Sequence, residues 1–322
     1  MKRLLIVIFS LLLVSQVTDA KKKEVTRSDS LLLLMASQKK IYDAQNEKAY
    51  LKQKYDTVAM FSALENIFAI AERLDSIDTR YRTKHANFLD GYRTNIFAAG
   101  TFFINREDYR LALKYFERYL NCAKIPLFES KDYSHTDTLM SHAAYWALIA
   151  CNEMRNASGV IKHSELALKW DKREQVLACM FDAYRRMHDE EHQRQVLTYG
   201  LVEFPKSPFF LYAKSMQDLK DGNFDNAIEI SDTLIKTYPN MPRPYFTAGL
   251  ACLRKIDRYN TSKDKKVKSE LYQRALRYME EYRNLAPNER RRWAPLLYRI
   301  YYNLNMDAQF REMEKLMTNS DF

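Results

Sequence analysis

The chain has 322 residues, and its 51 Lys and Arg against 41 Asp and Glu leave a formal net charge of +10 at pH 7. Only 6 glycines occur, far below the usual ~7%, which argues against the glycine-built phosphate cradles of parallel α/β folds and the many tight turns of β-sandwiches. Helix-favouring residues and abundant aromatics (22 Tyr, 17 Phe) dominate instead, and a chain of this length can bury a large core.

In chain order, residues 1–20 come first. Lys2 and Arg3 precede an apolar run over 4–14 interrupted only by Ser10, and Thr18-Asp19-Ala20 offers a small-residue cleavage site. Such a run fits the ~7–15 residues of a secretory signal core and falls short of the ~20 that span a bilayer. The expectation is an exported protein, periplasmic or cell-surface/secreted, with the leader removed after Ala20; the rival is a retained anchor. Residues 21–29 read as a basic polar linker containing Lys21, Lys22 and Lys23.

Residues 30–322 read as one helical repeat domain of about six helix pairs. An atypical first pair covers 30–75. In 93–126, Gly100 and Ala112 take small positions, with Phe103, Tyr109, Phe116 and Tyr119 around them. Residues 142–171 and 174–205 are weaker copies, the second with Gln193 where a small residue is wanted. The clearest copy is 208–239. Two amphipathic segments meet at Asp221-Gly222-Asn223, with Ser215 and Ala227 as the small pair and Pro239 as the stop. The preceding copy also ends in proline, so that Pro205 and Pro239 mark one period of roughly 34 residues. In 242–287, Gly249 and Ala275 are the small pair, set more than twice as far apart in the chain as Ser215 and Ala227. The excess is placed in an insertion at about 255–270, read as a loop or as helix extensions. Residues 293–317 form a degenerate last pair.

A small side chain on each of two helices lets their backbones approach, and aromatics fill the wedge to either side. Proline after the second helix stops it, because it lacks the amide hydrogen and disfavours helix in the residue before it. The proline-to-proline period with this arrangement resembles the tetratricopeptide repeat family over residues 30–317, most of all its exported bacterial members. The resemblance implies an all-α, right-handed α–α superhelix without catalysis. It also implies that the first helix of each pair lines a concave channel for a protein or peptide ligand. In the repeat register the channel positions are Thr94, Phe97, Thr101, Ile104 and Asn105 in the first clear copy, and Phe209, Tyr212, Met216, Leu219 and Lys220 in the next. They continue as Arg243, Phe246, Leu250, Leu253 and Arg254, then Arg291, Tyr298, Tyr301 and Tyr302. Family members that clamp an acidic carboxylate hold it with lysine and asparagine at places that here carry Phe97, Thr101, Tyr212, Met216, Phe246 and Leu250, so that clamp is absent.

Basic clusters at Lys21–Lys23, at Lys263, Lys265, Lys266 and Lys268, and at Arg290–Arg292 suggest an alternative, an envelope accessory protein for anionic glycan or lipid. They are not interleaved with stacking aromatics, so nucleic acid is not expected. The string His188-Asp-Glu-Glu-His192 spaces two histidines four apart. It lacks the glutamate that a zinc peptidase needs directly after the first histidine, and it falls in a predicted turn. No phosphate-binding glycine loop or nucleophile elbow occurs, and neither cofactor, metal nor catalytic residue is predicted. Cys122, Cys151, Cys179 and Cys252 read as buried free thiols, with Cys151–Cys179 the first disulfide to test should export oxidise them.

Overall fold

A computed structural model describes residues 27–169, 173–259 and 264–318; the leader, Lys21–Lys23 and Lys263 lie outside them. Helix dominates, and no strand occurs among the described residues. The α-helices in chain order are α1 (27–50), α2 (Thr57–Ile77), α3 (Arg82–Ile104), α4 (Tyr109–Asn121), α5 (Tyr133–Thr136), α6 (Leu139–Glu153) and α7 (Ala157–Leu168). They continue as α8 (Glu174–Arg186), α9 (Glu190–Glu203), α10 (Pro208–Asp221), α11 (Phe224–Thr237), α12 (Pro242–Ile256), α13 (Lys265–Leu285), α14 (Arg290–Asn303) and α15 (Asp307–Thr318). None of the described helices is long and apolar enough to cross a membrane. The chain forms two compact units, Met1–Ala183 and Tyr184–Phe322.

Local chemistry sets the turns. In one helix pair after another, a single left-handed residue sits immediately before the residue that caps the second helix. Glu107, Arg155 and His188 have φ of 59°, 56° and 57°. The caps that follow are Asp108, Asn156 and Asp189, whose oxygens accept the Leu111, Gly159 and His192 amides at 3.1, 3.0 and 3.1 Å. Such a cap satisfies one of the amides that a helix start leaves without an intrahelical partner. Gly222, at φ 81°, fills the same place between α10 and α11, and there the absence of a Cβ removes the steric cost. Pro208 and Pro242 open α10 and α12 at positions where a missing amide hydrogen costs nothing.

In the first unit, α2, α3, α4, α6 and α7 bury Leu64, Ile67, Phe68, Leu89, Ile96, Phe116 and Leu148 in one core. The segment between α4 and α6, which falls outside the clear repeat copies, folds as two 3-10 turns (Cys122–Lys124 and Pro126–Lys131) and the single turn α5. Arg93 of α3 holds it in place. The guanidinium is sandwiched between the Tyr119 and Tyr133 rings at 3.9 and 3.7 Å and pairs with Asp137 at 2.5 Å. Tyr133 Oη and Lys131 Nζ also donate to Asp90, at 2.5 and 3.1 Å.

In the second unit, Ile228, Cys252, Met279, Tyr282, Leu297, Ile300 and Tyr301 form the core of α11–α15. The small residues lie at close approaches in both units. A Cβ on Gly100 would meet the Phe116 ring at 2.7 Å, and one on Gly200 the Phe210 ring at 2.4 Å. Ser215, Ala227 and Ala275 are wholly buried. Both flanks of the insertion at about 255–270 are helix extensions: α12 runs to Ile256, and α13 starts at Lys265 and is 21 residues long, while residues 260–263 lie outside the described ones.

Candidate functional site

The second unit brings most of the channel-register residues together. Tyr212 and Met216 project from α10 toward α12. There the buried Thr247 hydroxyl lies 3.3 Å from the Met216 sulfur and 3.1 Å from the Arg243 carbonyl oxygen. The Arg243 guanidinium approaches the Tyr212 ring at 5.8 Å. One repeat further on, Arg292 of α14 lies at the same distance, 5.8 Å, from the Phe246 ring, which packs on Tyr282 at 5.1 Å. Three successive first helices, α10, α12 and α14, are thus joined by alternating rings and guanidinium groups, each pair within cation–π range.

Hydrogen bonds fix the charges at the α14 end. Tyr282 Oη donates to Glu289 Oε2 at 2.5 Å, and Arg292 Nη1 binds the same carboxylate at 2.8 Å. The Tyr282 bond and the Arg292 charge hold the Glu289 carboxyl below its ordinary range. Burial, reinforced by Glu289, pushes the Tyr282 phenol up to about 12, and the Tyr282 and Glu289 contacts raise Arg292 further. At neutral pH this end therefore carries a fixed ion pair.

The remaining channel residues have other surroundings. Phe209 packs edge-on against Phe210 at 5.1 Å, and Leu250 is half-buried against the core. Tyr298 and Tyr302 both contact Phe310 of α15, at 4.5 and 5.5 Å, with Tyr302 still 66% exposed. Arg291 is exposed in the first turn of α14, and Arg254 is exposed with no ion pair among the described residues. Leu219, Leu253 and Tyr301, at 3%, 1% and 1% exposure, belong to the core and not to the channel. Phe97 and Thr101 belong to the first unit: Phe97 is edge-on to Phe116 and Tyr119, and the Thr101 hydroxyl donates to the Phe97 carbonyl of its own helix. Register counting missed Thr247, Glu289 and Arg292. Arg292 is visible in the sequence only as part of a basic triplet, and nothing in its spacing singles it out from Arg291.

The other sequence candidates resolve locally. His188 is the left-handed turn residue, while His192 sits in the first turn of α9 with Nδ1 2.7 Å from Asp189 and its ring stacked on Tyr184. No cluster of three or more His, Cys, Asp or Glu able to hold a metal ion occurs among the described residues. All four cysteines are buried and none is joined in a disulfide, and burial raises the Cys151 thiol to about 11 and the Cys252 thiol to about 12.

Paired helices joined through a left-handed turn, contacting across glycine, alanine and serine and ending one proline-to-proline period apart, define the architecture. The fold is of tetratricopeptide type. No protein-family model matches the chain, and no curated protein is significantly similar to it. Among solved structures it is similar to a tetratricopeptide repeat protein from Parabacteroides merdae, at 12% identity and TM-score 0.49, over 71% of this chain and 80% of that one. It is also similar to YrrB, described as a TPR protein with an unusual peptide-binding site, at 14% identity and TM-score 0.41, over 68% and 92% of the two chains. MamA shares 13% identity at TM-score 0.43, over 61% and 93%. The tetratricopeptide reading of this chain rests on its own helix geometry.

Proposed function

We propose that this chain is a non-catalytic scaffold of the cell envelope that holds a peptide segment of another protein against the first-helix face of its second unit. The observation that carries the reading is the continuity of that face: Tyr212 to Arg243, Met216 to Thr247 and Phe246 to Arg292 link three successive first helices. Rings and arginines left partly exposed on a rigid helical surface are the residue types that most often dominate interface energies. Export is proposed from the basic, apolar and small-residue order of residues 1–20.

The test is a peptide array probed with the purified chain and with the variant Tyr212→Ala/Phe246→Ala. Anchors of this kind each contribute roughly 1–3 kcal/mol when truncated, so the double variant is expected to lose about 100-fold in affinity for any peptide selected. Retained affinity would remove the assignment of this face. For localisation, fractionation of the native host should find the chain outside the cytoplasm, with Lys21 as its first residue. An intact leader on cytoplasmic material would defeat that part of the proposal.

A further inference from the structure

Two first helices of the second unit carry charge of one sign. α12 (Pro242–Ile256) contains Arg243, Arg254 and Lys255 and no Asp or Glu, and α14 (Arg290–Asn303) contains four arginines and no Asp or Glu. α10 carries both signs, with Lys214 bound to Asp218 at 2.5 Å and Lys220 to Glu190 at 2.6 Å, and the other carboxylates lie on the second helices and at helix ends. They engage part of this positive charge: Lys255 pairs with Asp225, Arg299 with Asp257, and Arg292 with Glu289 at 2.8 Å. Arg243 and Arg254 are exposed, and neither makes an ion pair among the described residues. Glu289, which feels the Arg243 charge, is already bonded to Tyr282 and Arg292. Two cations thus stand toward opposite ends of one helix, with the half-buried Phe246 and Leu250 between them.

From this pattern we infer that the ligand is an acidic peptide, with one carboxylate for Arg243, a second for Arg254 and apolar side chains between. This rests on the proposed peptide-binding face and adds its chemistry. Arg243 and Arg254 stand about three turns apart on α12, and at ~1.5 Å rise per residue that is roughly 16 Å along the axis. An extended peptide covers that span in about five residues at ~3.3 Å each. The guanidinium is also suited to the task, because its planar fork binds a carboxylate through two parallel hydrogen bonds where an ammonium offers a point charge.

The experiment measures fluorescence anisotropy of labelled synthetic peptides on the full chain. The first peptide carries two glutamates at that spacing around leucine, phenylalanine and tyrosine; its analogues replace both glutamates with glutamine or with lysine. The glutamate peptide is expected to bind at least about tenfold more tightly than the glutamine one, because interfacial charge pairs commonly couple by more than about 1.4 kcal/mol. Arg243→Glu/Arg254→Glu, two exposed positions whose effect on folding circular dichroism checks, should reverse the order and favour the lysine peptide. Equal binding of the glutamate and glutamine peptides overturns the acidic ligand and leaves the face as an apolar peptide site. Failure of all three peptides to bind, alongside an array with no Tyr212- and Phe246-dependent hits, overturns the face itself. Dextran sulfate binding as tightly as the glutamate peptide, with no loss in Tyr212→Ala/Phe246→Ala, would instead assign the surface to a polyanionic glycan.

Discussion

Arg93 is 4% exposed, and two of its side-chain nitrogens, Nε and Nη2, have no hydrogen-bond partner. Burying a guanidinium this deeply is tolerable because tyrosine rings cover both faces and Asp137 neutralises the charge. The two members of the pair differ in their alternatives. Asp137 also accepts from Tyr119 Oη at 2.7 Å and from the Leu139 amide at 2.9 Å, whereas Asp137 is the carboxylate that Arg93 pairs with. Removing the carboxylate leaves an uncompensated buried cation, which commonly costs about 3–5 kcal/mol. Arg93→Met removes the cation together with its two orphaned nitrogens while keeping a long apolar stem. Urea unfolding should therefore show a markedly larger loss for Asp137→Ala than for Arg93→Met. Equal losses would mean that the arginine stabilises mainly by stacking on its two tyrosines.

At the scale of helices, small residues act by permitting contact, and the glycines separate into those that touch something and those that do not. Gly91, exposed on α3, has nothing within 4 Å of a built Cβ, while Gly100 on the same helix faces the buried Phe116 ring at 2.7 Å. Alanine in place of glycine inside a helix gains up to ~1 kcal/mol in propensity. Forcing a methyl against a packed ring costs ~1–3 kcal/mol. Gly91→Ala should raise the melting temperature and Gly100→Ala should lower it. Two shifts of the same sign would refute the close-approach role of Gly100. Helix pairing is also the level most legible in the sequence. The 208–239 pair is readable because proline, the Asp221-Gly222-Asn223 turn and two small residues all coincide there. The turns at Glu107, Arg155 and His188 are not recognisable as the same device, because no glycine marks their left-handed residue. The connector from Cys122 to Thr136 has no helical period, and it is held by Arg93 from a different helix, which no local pattern reveals. Within the candidate face, Tyr212, Met216, Arg243 and Phe246 follow from register, but Leu219 and Leu253 do not. Counting positions places a residue on a side of its helix and is silent on how far the neighbouring helix covers it.

For the molecule as a whole, a net charge of +10 conveys less than its distribution. In the second unit, α12 and α14 bear cations and no Asp or Glu, and the carboxylates of neighbouring elements leave Arg243 and Arg254 without ion pairs among the described residues. A surface arranged only for solubility intersperses both signs; two first helices bearing one sign are a basis for recruiting the other. Binding at this face should accordingly weaken as salt rises, since exposed charges are screened over ~8 Å at physiological ionic strength, while the ring contacts should persist. Ligand held on the first-helix face of the second unit should leave its mark in amide hydrogen exchange measured with and without the two-glutamate peptide. Slowed exchange confined to α10, α12 and α14 is the predicted result; protection on α11, α13 and α15, or confined to the first unit, would contradict it.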